Sequence, residues 1–134
     1  MPVDPSLVGR AFPAPAPLSV TPERVNAFAA SVGHPGSDGG AVPPTFPIVL
    51  AFDAMQAFLD AEAIDLHRIV HGEQRFAYVR PLAVGDELSA TLTVTGLRQI
   101  GGADIIATTS EITDAAGALV CSTSATLVHR GPDA

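Results

Sequence analysis

Apolar residues follow two rhythms along this chain. Between residues 45 and 64 they run almost unbroken: Phe46, Ile48, Val49, Leu50, Ala51, Phe52, Ala54, Met55, Ala57, Phe58 and Leu59. A run this long, apolar nearly all round, predicts a helix wrapped by protein, centred on Pro47–Leu59. Beyond residue 66 the rhythm becomes alternation, the mark of strands. From Leu66 to Arg80, Gln74, Phe76 and Tyr78 fall on one face, and Glu73, Arg75 and Ala77 on the other. From Glu87 to Ile100, Leu88, Ala90, Leu92 and Val94 face one way and Thr91, Thr93 and Thr95 the other. Ile105 to Thr113 and Ala118 to His129 give two more strands. Their Thr-rich faces suit strands, because β-branched residues pack well on a pleated surface. Turn signals separate the strands at Gly85-Asp86, at Gly101-Gly102-Ala103-Asp104 and at Asp114 to Gly117. Hairpin-linked strands in succession make an antiparallel meander. The predicted class is α+β, a curved antiparallel sheet wrapped around one long central helix.

The chain before that helix is less regular. Residues 1–18 are rich in Pro and Ala and read as an arm or edge strand, with Leu7 to Pro17 laid along a sheet edge. Thr21-Pro22-Glu23 is a helix start, with Thr as cap, Pro in the first turn and an acid beside it. Val25, Phe28, Ala29 and Val32 follow at helical spacing, and Gly33 ends the helix. Residues 33–44 hold four glycines and three prolines and form a loop. Residues 131–134 read as a flexible tail, and residues 1–134 as a single domain.

Composition narrows the chemistry. The net charge is −7, which excludes the basic footprint of a nucleic-acid binder. All seven basic residues are Arg, so no lysine base or Schiff base is available. The single cysteine, Cys121, lies in an alternating apolar segment and reads as a small buried strand residue. No disulfide forms within one chain, and no His or Cys pair has metal-ligand spacing, so no metal is expected. The start, Met1-Pro2-Val3-Asp4-Pro5, lacks a secretory pattern. Asp53 and Gln56 interrupt a helix already too short to span a bilayer. The expected location is the cytoplasm.

Four groups of residues carry a resemblance. They are Val42-Pro43-Pro44-Thr45-Phe46 before the long helix, His71-Gly72-Glu73-Gln74-Arg75-Phe76 in the first strand, Arg80-Pro81, and Gly85-Asp86 at the turn. From about Val20 to Val128 the chain resembles the N-terminal MaoC-like dehydratase domain family, which has a hotdog fold. It is similar to the small non-catalytic subunit of mycobacterial-type (3R)-hydroxyacyl-carrier-protein dehydratases. The resemblance implies an acyl thioester ligand, on coenzyme A or an acyl carrier protein, and no cofactor. It also implies a homodimer or a heterodimer with a catalytic MaoC-like subunit.

Active members of that family carry Gly-Asp-x-Asn-Pro-x-His in the loop before the helix. The Asp and His activate water for hydration of an enoyl thioester, or run the reverse dehydration. Backbone N–H groups near the helix start stabilise enolate charge on the thioester oxygen. This chain reads Gly33-His34-Pro35-Gly36-Ser37-Asp38-Gly39. His34 stands where the Asp belongs, and Gly39 where the His belongs. The expected role is therefore that of a subunit that binds the acyl chain while a partner supplies Asp and His. A self-sufficient homodimeric hydratase using His34 and Asp38 is an alternative, as is a thioesterase using Asp53 or Asp60. A non-enzymatic acyl-thioester binder is a third. The enzyme class, if any, leans to a hydro-lyase.

The candidate substrate-binding residues are Val42, Pro43, Pro44, Thr45 and Phe46, with His71 and Arg75. His71, Glu73 and Arg75 read as same-face neighbours, either a polar cluster at the thioester entrance or a satisfied interface cluster. Arg75, Arg80 and Arg98 are candidates for a phosphate, although Arg80 before Pro81 also reads as turn chemistry. His67 and His129 have no partner in view and read as surface residues.

Overall fold

The computed structural model describes residues 5–33 and 42–130. His34, Asp38 and the tail at 131–134 lie outside the described residues. Six strands form one sheet: β1 (Ala11–Pro13), β2 (Leu18–Ser19), β3 (Ile69–Tyr78), β4 (Glu87–Ile100), β5 (Ala103–Thr113) and β6 (Leu119–Arg130). The order is β1-β4-β5-β6-β3, with β2 also on β4 and every pairing antiparallel. Two helices accompany it, α1 (Pro22–Ser31) and α2 (Ile48–Ala61).

Local chemistry accounts for these elements. The Thr21 hydroxyl accepts the Arg24 N–H at 3.2 Å and caps α1, as the sequence predicts. Helix α2 packs on β4, β1 and β5. Its Leu50, Ala54, Phe58 and Leu59 meet Leu88, Leu92, Ile106, Ile112 and Leu127 in one core. The arm closes that core: β1 pairs with β4, and the Phe12 ring stands 5.0 Å from that of Phe58. The alternation expected of β4 holds, with Leu88, Ala90, Leu92 and Val94 buried.

Three expectations are corrected. The first long strand begins at Ile69 rather than Leu66, because Leu66–Arg68 is a 3₁₀ turn closed by the Arg68 N–H on the Asp65 carbonyl. Within β3, a bulge at Gly72 shifts the register, so that His71 opposes Leu127 but Glu73 opposes Thr126. One extra residue reverses the parity, and His71 faces the helix while Glu73 and Arg75 face away. Last, His129 is buried rather than exposed. Strand β5 begins at Ala103, which makes Asp104 a strand residue directly opposite His129, with the His129 Nδ1 3.2 Å from its carboxylate.

Candidate functional site between helix and sheet

A cavity of about 200 Å³ lies between α2 and the concave face of the sheet. Helix residues Ile48, Ala51, Phe52 and Met55 form one wall, recurring at the spacing of a single helical face. The other wall crosses four strands, with His71 and Gln74 from β3, Thr123 and Ala125 from β6, Thr108 and Ser110 from β5, and Leu92 from β4. Leu66 and Ile69 complete the β3 end. Leu66 and His71 are exposed there, so the cavity opens toward β3, while Leu92 at the far end is buried. Among the described residues, no carboxylate lines it.

The bulge at Gly72 shapes this mouth. It turns His71 onto the concave face, where its Nε2 lies 2.8 Å from Gln74 Oε1. The Gln74 amide nitrogen in turn donates to the Arg75 carbonyl at 3.3 Å. Strand β3 is also one edge of the sheet, the long one, among the described residues. An unpaired edge strand offers a row of backbone donors and acceptors to another chain. Val70 on that strand is 61% exposed.

A second cavity of about 300 Å³ lies beside the lead-in to α2, lined by Val42, Pro44, Tyr78, Val79, Arg80, Pro81 and Leu82. The Tyr78 hydroxyl donates to the Pro44 carbonyl and ties β3 to that lead-in. Burial, then the neighbouring Cys121, pushes the Tyr78 pKa up to about 12, so the phenol stays protonated. Burial raises the Cys121 thiol as well, which makes it a poor nucleophile.

Arg80 is consumed by structure. Its guanidinium donates to both carboxylate oxygens of Asp86, at 2.9 and 3.2 Å, and lies 3.5 Å from Asp114. The Asp86 carboxylate also accepts the Ala83 N–H at 2.9 Å, which pins the Gly85-Asp86 turn. The Arg80 hydrogen bond holds the Asp86 carboxyl below its ordinary range, helped by Ala83 and opposed by burial. A depressed carboxylate pKa stabilises the fold above the unfolded-state value and loses that contribution as pH falls through the folded one. Wild type is therefore expected to unfold at higher urea than Asp86→Asn at pH 7. The gap should close as the pH drops below about 3.9. A gap that stays constant across that range would show that Asp86 acts by shape rather than charge.

The residues singled out in the sequence separate in space. His71 is at the mouth of the helix–sheet cavity, whereas Val42 and Pro44 line the second one. Pro43 and Phe46 are buried, and the Phe46 ring packs edge-on against Phe28 at 5.5 Å. Thr45 is exposed. Pro43 and Pro44 have no N–H, and Phe46 donates its own to the Pro43 carbonyl at 3.0 Å. Val42 and Thr45 are thus the backbone donors this segment can offer a ligand. Arg75 is exposed on the opposite face of β3, paired with Glu73 at 3.0 Å. Asp53 is exposed on α2 outside both cavities, and Asp60 accepts from the Gln56 amide at 2.9 Å. Among the described residues, neither cavity is lined by a carboxylate. Gln74, Thr108, Ser110 and Thr123 are cavity residues that the sequence reading passed over. Among the described residues, no group of His, Cys, Asp and Glu is placed to hold a metal ion, and no helix is long and apolar enough to cross a membrane.

One central helix in a curled antiparallel sheet, with a cavity between them, defines a hotdog domain of the MaoC-like dehydratase kind. A family model described as the FAS1-like dehydratase domain region matches residues 6–123, and the chain belongs to that family. A UPF0336 protein of Clavibacter michiganensis subsp. michiganensis is 44% identical over 149 residues, covering 100% of both chains. The crystal structure of a C-terminally truncated HadBC (3R-hydroxyacyl-ACP dehydratase) complex from Mycobacterium tuberculosis has a chain that superposes with a TM-score of 0.80. That chain is 28% identical, and the match covers 96% of this chain and 99% of that one. A MaoC-like dehydratase gives a TM-score of 0.84 at 26% identity, covering 96% of this chain and 43% of that longer one.

Proposed function

We propose that this chain is the acyl-binding subunit of a (3R)-hydroxyacyl-thioester dehydratase or enoyl hydratase, working with a second hotdog chain that carries the catalytic Asp and His. The observation that carries the reading is the cavity between α2 and the sheet. It is lined by apolar helix residues, holds no carboxylate among the described residues, and opens at the edge strand β3. A second hotdog subunit pairing along β3 would sit beside that mouth. The acyl chain then lies in this cavity, and the thioester stays at the mouth within reach of the partner's residues. Similarity to a chain of a 3R-hydroxyacyl-ACP dehydratase complex supports a two-chain assembly. The acyl group arrives on coenzyme A or a carrier protein, and moving one proton and one hydroxide needs no further cofactor.

The test is hydration of a medium-chain trans-2-enoyl-CoA, first by the purified chain and then after adding a MaoC-like chain containing Gly-Asp-x-Asn-Pro-x-His. The expected result is background rate alone and turnover in the mixture above that of the added chain by itself. Robust turnover by this chain alone, abolished by His34→Ala or Asp38→Ala, would replace the subunit reading with a self-sufficient hydratase. Acyl-CoA binding without turnover in any mixture would leave a binder.

A further inference from the structure

The sheet wall of the helix–sheet cavity carries hydroxyls that a plain alkyl chain leaves without partners. Ser110 is 4% exposed and Thr123 2% exposed, and both line the cavity. They are direct cross-strand partners on β5 and β6. Neither side chain makes a hydrogen bond among the described residues. The third hydroxyl, that of Thr108, only grazes the Ala125 carbonyl at 3.5 Å. Buried polar groups in folded proteins are hydrogen-bonded, so two bare hydroxyls facing one cavity point to an occupant that supplies their partners. The opposite wall, Ile48, Ala51, Phe52 and Met55, offers nothing polar. The slot is thus two-sided, with methylene-friendly helix above and hydroxyl-bearing sheet below.

Resting on the acyl-binding reading, we propose that the cavity selects acyl chains that carry an oxygen function, a hydroxyl or a keto group, part-way along the chain. Ser110 and Thr123 hold that oxygen. Its position follows from the sheet. Thr123 and Ser110 lie one and two strands in from β3, about 5 and 10 Å across the sheet. Thr123 stands opposite Phe76 whereas His71 at the mouth stands opposite Leu127, so the oxygen sits several carbons beyond the thioester. A cavity of about 200 Å³ holds roughly six or seven water-sized groups at about 30 Å³ each. Selectivity comes from the unpaired state: a chain without the oxygen desolvates both hydroxyls and returns nothing.

The experiment is calorimetric titration of the full chain with octanoyl-CoA and with 6-hydroxyoctanoyl-CoA. The hydroxylated ligand is expected to bind at least tenfold tighter. In the Ser110→Ala/Thr123→Val double variant that ratio is expected to fall to about one. Equal affinity of the two ligands for wild type would mean that water serves the hydroxyls and would overturn the proposal. A preference that persists in a double variant still able to bind octanoyl-CoA would overturn it too, by placing the oxygen elsewhere. Should the double variant fail to fold, the single change Thr123→Val, nearly equal in volume, gives the same comparison. Binding of neither ligand to wild type would remove the acyl-binding reading itself, a result distinct from equal binding of both.

Discussion

Phe58→Ala is expected to destabilise the chain by about 3–5 kcal/mol, a range typical of a large aromatic removed from a packed core. Phe58 is fully buried, in the last turn of α2, and its ring meets Phe12 of the arm at 5.0 Å. Two elements distant in sequence are joined there. Truncation leaves a void that helix and sheet cannot both close on, and it strips the arm of its ring contact with the helix. Since whole domains are stable by only about 5–15 kcal/mol, the loss is a large share of the total. Urea unfolding measures it: the midpoint should drop sharply with the slope little changed. Phe28→Ala is the comparison, because Phe28 is only half-buried where it meets Phe46. Equal losses in the two variants would deny Phe58 its central place.

That keystone was legible in the sequence, and so was most of the framework around it. A helix apolar on nearly every side has one stable setting in a small domain, inside a sheet. The alternation of β4 fixes its buried face without reference to any other strand, because successive side chains must point to opposite sides. Thr21-Pro22-Glu23 announces α1 by chemistry local to three residues. In each case the information lies within one element.

What escaped is set between elements. The bulge at Gly72 reverses which residues share a face with His71, and period-two counting through it gives the wrong partners. A glycine inside a strand was the available signal. Asp104 and His129, 25 residues apart in sequence, meet only because the β5–β6 ladder keeps its register from the Ile112–Cys121 pair to its far end. The cavity hydroxyls were legible and were misread as strand propensity. Ile112, Ser110, Thr108 and Ile106 share one parity on β5, and the buried isoleucines at either end show that it is the core face. His34 and Asp38 lie outside the described residues.

Ala51→Phe is expected to weaken octanoyl-CoA binding by about a hundredfold or more while the chain stays folded. Ala51 lies on the helix wall of the cavity, and a phenyl group there fills space that the acyl chain needs. Burying a methylene is worth about 0.8 kcal/mol, so excluding four of them removes roughly 3 kcal/mol. That is a factor of over one hundred in the dissociation constant, since each 1.4 kcal/mol is about tenfold. Overpacking a tight core ordinarily costs about 1–3 kcal/mol, and a site that faces a cavity falls toward the lower end. Ala57→Phe is the matched control. It makes the same substitution on the same helix, at a half-buried position that lines neither cavity. If both variants bind octanoyl-CoA as tightly as wild type does, the acyl chain does not enter between α2 and the sheet. The second cavity, beside Val42 and Tyr78, would then be the place to look, and the hydroxyls of Ser110 and Thr123 would need another occupant.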